Sequence, residues 1–217
     1  MTSQTHHFAD IAPAAERRTM IDSQLRTVGV TDAGVLAAMA AVPREDFVPP
    51  SLAGLAYADA ALEVAPARWL LEPLVLALLL QHARISAGDR VLIVGSATGY
   101  SAAVAAHIGA TVTALESDEA LAASAPIATV IGPLPAGWTA SAPYDLILFE
   151  GAIEVVPTAI AAQLAPSGRV AAVVRQAGVG RAFAGVLTAA GGIAGLPFLE
   201  IAAKPLPGFA APREFVF

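Results

Sequence analysis

Two features of this 217-residue chain could do chemistry on a small ligand. One is the run of small residues Gly95-Ser96-Ala97-Thr98-Gly99-Tyr100, and the other is an acid, Glu116, which closes the next apolar stretch. Small residues let a ligand approach the backbone closely, and the start of a helix offers free N–H groups to an anion. A carboxylate at the end of the following strand can accept both hydroxyls of a ribose. Together the two features read as a nucleoside site. A dinucleotide fingerprint beginning at Gly95 would need glycines at 97 and 100, where Ala97 and Tyr100 stand, so a nicotinamide enzyme is a distant reading. A plain strand-to-helix turn that binds nothing stays open on these residues alone.

The elements that would position this pair follow from the pattern around it. Arg90-Val91-Leu92-Ile93-Val94 is a short apolar run ending in glycine, which predicts a buried parallel strand. A helix is expected over 101–108, then strands over 111–115, 129–131, 144–149 and 169–174, with helix over 157–164. Strands alternating with helices predict an α/β fold with a doubly wound, mostly parallel sheet. Ahead of it, 15–41 reads as two helices, with Met20, Ile21, Gln24 and Leu25 on one face and Thr31 as N-cap of the second. A loop-rich region follows, then a helix from Pro73 to about Ala83. No linker divides the chain. The expectation is one domain over 1–217, with 1–85 as a helical and loop extension packed on the sheet and 86–217 as the core. Weaker strand signals near the C-terminus add to one edge.

Composition excludes several functions. Hydrophobic residues make up 56% and charged residues 14%, the reverse of a disordered chain. Apolar runs such as Leu74–Leu80 fall far short of the roughly 20 residues a bilayer requires. No basic stretch leads into an apolar one at the N-terminus, so a soluble, cytoplasmic protein is expected. There are no cysteines, and His6, His7, His82 and His107 show no ligand spacing, so no metal is expected. Net charge is −6, without a dense basic cluster, which argues against nucleic acid as a partner. The high apolar content leaves homo-oligomerisation open.

Outside the loop, several segments carry a family resemblance. Met20-Ile21-Asp22-Ser23-Gln24-Leu25-Arg26, Val42-Pro43-Arg44-Glu45-Asp46-Phe47-Val48-Pro49 and Leu55-Ala56-Tyr57-Ala58-Asp59 resemble the N-terminal signature of protein-L-isoaspartate O-methyltransferases. Ala87-Gly88-Asp89-Arg90, Tyr144-Asp145 and Leu164-Ala165-Pro166-Ser167-Gly168-Arg169 match later landmarks. The resemblance implies the Rossmann-like class I S-adenosylmethionine-dependent methyltransferase fold with N-terminal helices. It also implies S-adenosylmethionine as cofactor, held by Gly95, Ser96, Ala97, Gly99, Tyr100 and Glu116. The substrate it implies is a protein or peptide bearing an isoaspartyl carboxylate. Such a carboxylate is ionised at neutral pH and needs no general base. Catalysis then reduces to aligning oxygen, methyl and sulfur and excluding water.

The sequence departs from the family where alignment would be set. The family's Gly-rich stretch ending Thr-Ile-Ser-Gln-Pro corresponds here to Ala65-Pro66-Ala67-Arg68-Trp69-Leu70-Leu71-Glu72-Pro73. Trp69 and Leu71 stand where hydroxyl donors are expected, so no catalytic residue can be assigned there. Ala97 replaces the central glycine, Gly132-Pro133-Leu134 lacks the usual aspartate, and the segment after Glu116 is short. Glu150 is an added acid which, facing the site, would repel a carboxylate. These departures imply weakened cofactor binding and little isoaspartyl turnover. They leave open a relative that methylates another substrate, or that serves as a nucleoside-binding or interaction module.

Overall fold

The computed structural model describes residues 13–190 and 192–211; His6 and His7 lie outside them. A helical stretch over 13–19 continues as a π-helical segment, Met20–Leu25, and a 3₁₀ turn, Arg26–Val28. Helix α1 (Ala33–Ala41) follows. Its N-cap is Asp32 rather than the expected Thr31: the Asp32 carboxylate accepts the Val35 N–H at 2.9 Å. Thr31 instead donates its backbone N–H to Gln81 Oε1 at 2.7 Å.

The region expected as loop contains a two-stranded antiparallel hairpin, β1 (Leu62–Ala65) and β2 (Arg68–Leu70), in which Leu62 pairs with Leu70. It leads into helix α2 (Pro73–His82), opened by proline as expected. The main sheet then begins. Its strands are β3 (Arg90–Val94), β4 (Thr111–Glu116), β5 (Thr129–Ile131), β6 (Tyr144–Ile153), β7 (Leu164–Gln176), β8 (Val179–Gly185) and β9 (Leu199–Glu200). Between them lie helices α3 (Tyr100–Ile108), α4 (Glu119–Ser124) and α5 (Thr158–Ala161). α5 is much shorter than the 157–164 expected, because β7 starts at Leu164.

The strand order is β5-β4-β3-β6-β7-β8-β9, parallel through β7 and antiparallel at β8 and β9. Order reverses between β3 and β6, and open sheets of this kind bind ligands outside the strand ends at such a reversal. The central strands hold because Val91–Val94 are fully buried on both faces. One face carries Val91, Ile93, Leu146 and Leu148 against the N-terminal helices, α2 and α3. The other carries Leu92, Val94, Ile147 and Phe149 against Leu134, Ile160, Leu206 and Phe209.

Register fixes the site. Val94 pairs with Leu115 of β4 and with Phe149 of β6. One step on, Glu116 and Glu150 flank Gly95 on either side. Alternation turns both acids away from the Leu115 and Phe149 face, toward the face covered by the N-terminal extension.

Candidate functional site

The small-residue run forms a tight turn between β3 and α3. Gly95, Ala97 and Gly99 have φ of +74°, +50° and +91°. Glycine takes such angles freely; at Ala97 the left-handed conformation costs about 1–2 kcal/mol. Gly95 and Ser96 both donate backbone N–H groups to Leu115 O at 2.9 Å, locking the turn onto β4. Thr98 Oγ1 donates to Phe47 O at 2.6 Å, tying it to the N-terminal extension. Tyr100 is fully buried, edge-on to Phe47 at 5.5 Å and under the Arg44 guanidinium at 4.6 Å. It thus enters the packing rather than lining an open turn.

Glu116 is fully buried at the end of β4. Its Oε1 accepts the N–H groups of Ser117 at 2.7 Å and Asp118 at 3.1 Å, and its Oε2 accepts Ala97 N–H at 2.9 Å. Oε2 also forms a buried ion pair with Arg68 Nη2 from β2. The sequence reading missed Arg68, whose side chain is 6% exposed. A Cβ built on Gly95 would lie 3.1 Å from Arg68 Nη2 and 2.6 Å from Leu206 Cδ1. Gly99 is likewise covered by Ile127 and Ala125. The turn that a nucleoside would approach is thus covered by the chain's own side chains. A cavity of about 410 Å³ opens elsewhere, beside Ile153, Val174, Phe183 and Ile193.

Glu150 lies within β6, not at its end, and is 2% exposed. Its Oε1 accepts Leu71 N–H at 3.0 Å and its Oε2 accepts the Ser101 hydroxyl. Burial pushes its pKa up, against the opposing pull of those two donors and of Arg44 and Arg68. Burial favours the neutral acid, so the expected repulsion of a carboxylate substrate is not its main consequence. Glu150 instead anchors residue 71 from beneath. Arg44, fully buried, holds the same residue by donating to Leu71 O at 2.8 Å, and burial lowers its pKa against the raising charges of Tyr100 and Glu150.

Trp69 and Leu71 sit apart. Strand alternation turns Arg68 and Leu70 inward and Trp69 outward, where Lys204 Nζ lies 4.8 Å from its ring. Leu71 is buried in the core. The segment 204–206 runs beside β6: Ala152 N–H donates to Lys204 O and Leu206 N–H to Ala152 O, both at 2.8 Å. Hairpin and C-terminal strap therefore meet over the glycine turn, a closure the sequence reading did not anticipate.

The fit to a nucleoside cofactor can be tested on these atoms. The glycine turn, the strand-end acid and the start of α3 are in place. Ser96 Oγ, Arg68 Nε and Arg44 Nε and Nη1 are buried without a hydrogen-bond partner, a pattern that calls for water or a ligand. The residues fit such a group once Arg68 moves; where they stand, Arg68 holds its acceptor. Among the described residues no cluster of three or more histidine, cysteine or acidic side chains could hold a metal ion. Nor is any helix there long and apolar enough to cross a membrane.

The comparisons agree with this architecture. The sequence pattern of the family described as "Protein-L-isoaspartate(D-aspartate) O-methyltransferase (PCMT)" matches residues 15–184. A protein-L-isoaspartate O-methyltransferase of Methylorubrum extorquens is 45% identical over 165 residues, covering 71% of this chain and 72% of that one. One from Gloeobacter violaceus is 39% identical over 160 residues, covering 69% and 78%. A solved structure of a protein-L-isoaspartate O-methyltransferase superposes with a TM-score of 0.68 at 22% identity, covering 88% of this chain and 66%, just under two thirds, of that chain. A second, described as a putative enzyme of that kind from Plasmodium falciparum in complex with S-adenosyl-L-homocysteine, gives 0.66 at 15% identity, covering 79% and 88%. The two structures share the fold, and the sequence matches reach further: this chain belongs to the protein-L-isoaspartate O-methyltransferase family.

Proposed function

We propose that the chain is an S-adenosylmethionine-dependent carboxyl methyltransferase acting on isoaspartyl residues of proteins or peptides. The observation that carries this reading is Glu116, a buried carboxylate beside the left-handed glycine turn at the strand-order reversal. We assign cofactor binding to Gly95, Ser96, Ala97, Gly99, Tyr100 and Glu116. Glu116 accepts the ribose hydroxyls, Ser96 supplies a buried hydroxyl, and Gly95 and Gly99 present bare backbone to the cofactor once the side chains covering them withdraw. Tyr100 contributes as the first residue of α3. When bound, the cofactor supplies an activated sulfonium methyl. The chain's own task is to hold a carboxylate in line with it and exclude water, since the substrate arrives ionised. Glu150, Arg44 and Ser101 fix residue 71 at the edge of that space. We further assign 1–217 to one domain, with the N-terminal extension forming the wall against which both acids point.

Cofactor binding is weaker here than the family's sequence pattern alone implies, because Arg68 must leave Glu116 first. The absence of hydroxyls at 69 and 71 supports a second reading: a nucleoside-binding relative with another substrate. Transfer of a radiolabelled methyl group to an isoaspartyl peptide separates the two. Base-labile label on the isoaspartyl peptide, absent from its aspartyl counterpart, is the result expected. Nucleoside binding without such transfer would favour the second reading.

A further inference from the structure

The Arg68–Glu116 pair has a stoichiometric consequence. A carboxylate offers about four lone-pair positions. Glu116 already accepts from the backbone of Ala97, Ser117 and Asp118, from the Ser117 hydroxyl at 3.3 Å and from Arg68. A ribose diol cannot add to this filled set; the side-chain donors must give way. The three backbone groups are fixed by the turn and by the start of α4. The two side-chain donors can move: the Ser117 hydroxyl turns by rotation about one bond, and Arg68 sits on a short hairpin whose tip, Pro66-Ala67, is exposed and left-handed at Ala67, with φ of +58°.

A displaced guanidinium cannot be left bare in a buried setting, since an uncompensated buried charge is strongly unfavourable. It must find another anion. Arg68 directly precedes the segment in which Trp69 and Leu71 offer no hydroxyl to a substrate carboxylate. A guanidinium matches a carboxylate through two parallel N–H bonds, better than any single hydroxyl donor. Its current partner is itself a carboxylate.

We propose that Arg68 is an exchangeable counter-ion, which holds Glu116 while the nucleoside site is empty and passes to a ligand carboxylate when a ribose takes Glu116. This rests on the reading of Glu116 as the ribose acceptor. Arg68 thereby becomes the specificity-determining residue for a carboxylate ligand, in place of the missing hydroxyls. The carboxylate has two possible sources: the amino-acid end of the cofactor, or the substrate side chain. Both couple to the ribose site through one guanidinium, and that coupling is reciprocal.

The experiment is calorimetric titration of the full-length chain with two nucleosides, 5′-methylthioadenosine, which has no carboxylate, and S-adenosylhomocysteine, which has one. Each is run with and without an isoaspartyl peptide. Arg68→Gln should bind methylthioadenosine about tenfold more tightly than the unmodified protein, because its competitor is gone. Arg68→Lys keeps the charge and guards against a folding artefact; it should stay within about threefold of the unmodified protein. In the unmodified protein a ligand carboxylate should recover the lost affinity, and in Arg68→Gln it should not. Recovery with peptide identifies the substrate as the source. Recovery with S-adenosylhomocysteine alone identifies the cofactor. Methylthioadenosine binding that is unchanged or weaker in Arg68→Gln, or tightened equally in Arg68→Lys, overturns the inference alone. So does carboxylate recovery in neither arm. No nucleoside binding by any of the three proteins overturns both the inference and the reading it rests on.

Discussion

Glu116 and Glu150 are the same residue type, one step beyond paired positions on either side of Val94, and both are buried. Their surroundings differ in kind. Glu116 receives three backbone N–H groups, the Ser117 hydroxyl at 3.3 Å and a guanidinium. Glu150 receives one backbone N–H and one hydroxyl, and burial drives it toward the neutral acid. The strand-end carboxylate is supplied with cationic and backbone donors. A mid-strand carboxylate supplied with neutral donors is an anchor. Position in the sheet alone does not separate them; the partners brought by the N-terminal extension do.

The largest expected effect breaks the Glu116 side. Arg68→Met should destabilise the fold by about 3–5 kcal/mol in denaturant unfolding at neutral pH, because it leaves a buried carboxylate without its cation. Loss of less than about 1 kcal/mol would mean that the backbone donors suffice and that the pair is incidental. The matching change on the Glu150 side is smaller. Ser101→Ala removes one neutral donor and should cost about 1–3 kcal/mol, and it should push the Glu150 pKa further up, since that hydroxyl favours the charged form. Equal losses from the two substitutions would erase the distinction between the acids.

The subtlest test uses pH. Burial raises the Glu150 pKa in the fold above its unfolded value. Its contribution to stability is therefore full below the ordinary glutamate range and is lost as pH rises through the raised value. Glu150→Gln mimics the protonated acid and removes that loss. The melting temperature of the variant, relative to the unmodified protein, should rise from acid toward neutral pH. A difference that stays flat, or falls, would contradict the raised pKa of Glu150.

The sheet was legible because its strands are unusually plain. Val91–Val94 and Leu146–Phe149 are unbroken apolar runs, buried on both faces, with glycine or acid at their ends. The glycine turn and Glu116 followed from that frame. What covers them did not. The β1–β2 hairpin has strands of four and three residues interrupted by Pro66, too short for periodicity to register. Arg68 falls in a region expected as loop, and only its alternation with Leu70 hints that it faces inward. Segment 204–206 gave no signal, because its pairing with Ala152 is set by tertiary contact with β6 rather than by local preference. The apolar run stops at Phe149, so the strand is expected to end beside Glu150, whereas β6 runs on to Ile153. The N-cap fell to Asp32 rather than Thr31 because the Gln81 side chain accepts the Thr31 and Asp32 N–H groups and fixes the chain's entry to α1.

The central claim is that Glu116 is the acceptor of a nucleoside ribose. Calorimetric titration of S-adenosylhomocysteine into the unmodified protein and into Glu116→Ala, at matched concentration and confirmed fold, tests it most directly. The account predicts saturable binding to the unmodified protein and affinity about tenfold to a hundredfold weaker in the variant, from the loss of charge-assisted hydrogen bonds. Equal affinity in the two proteins, or no binding to the unmodified one, would contradict it.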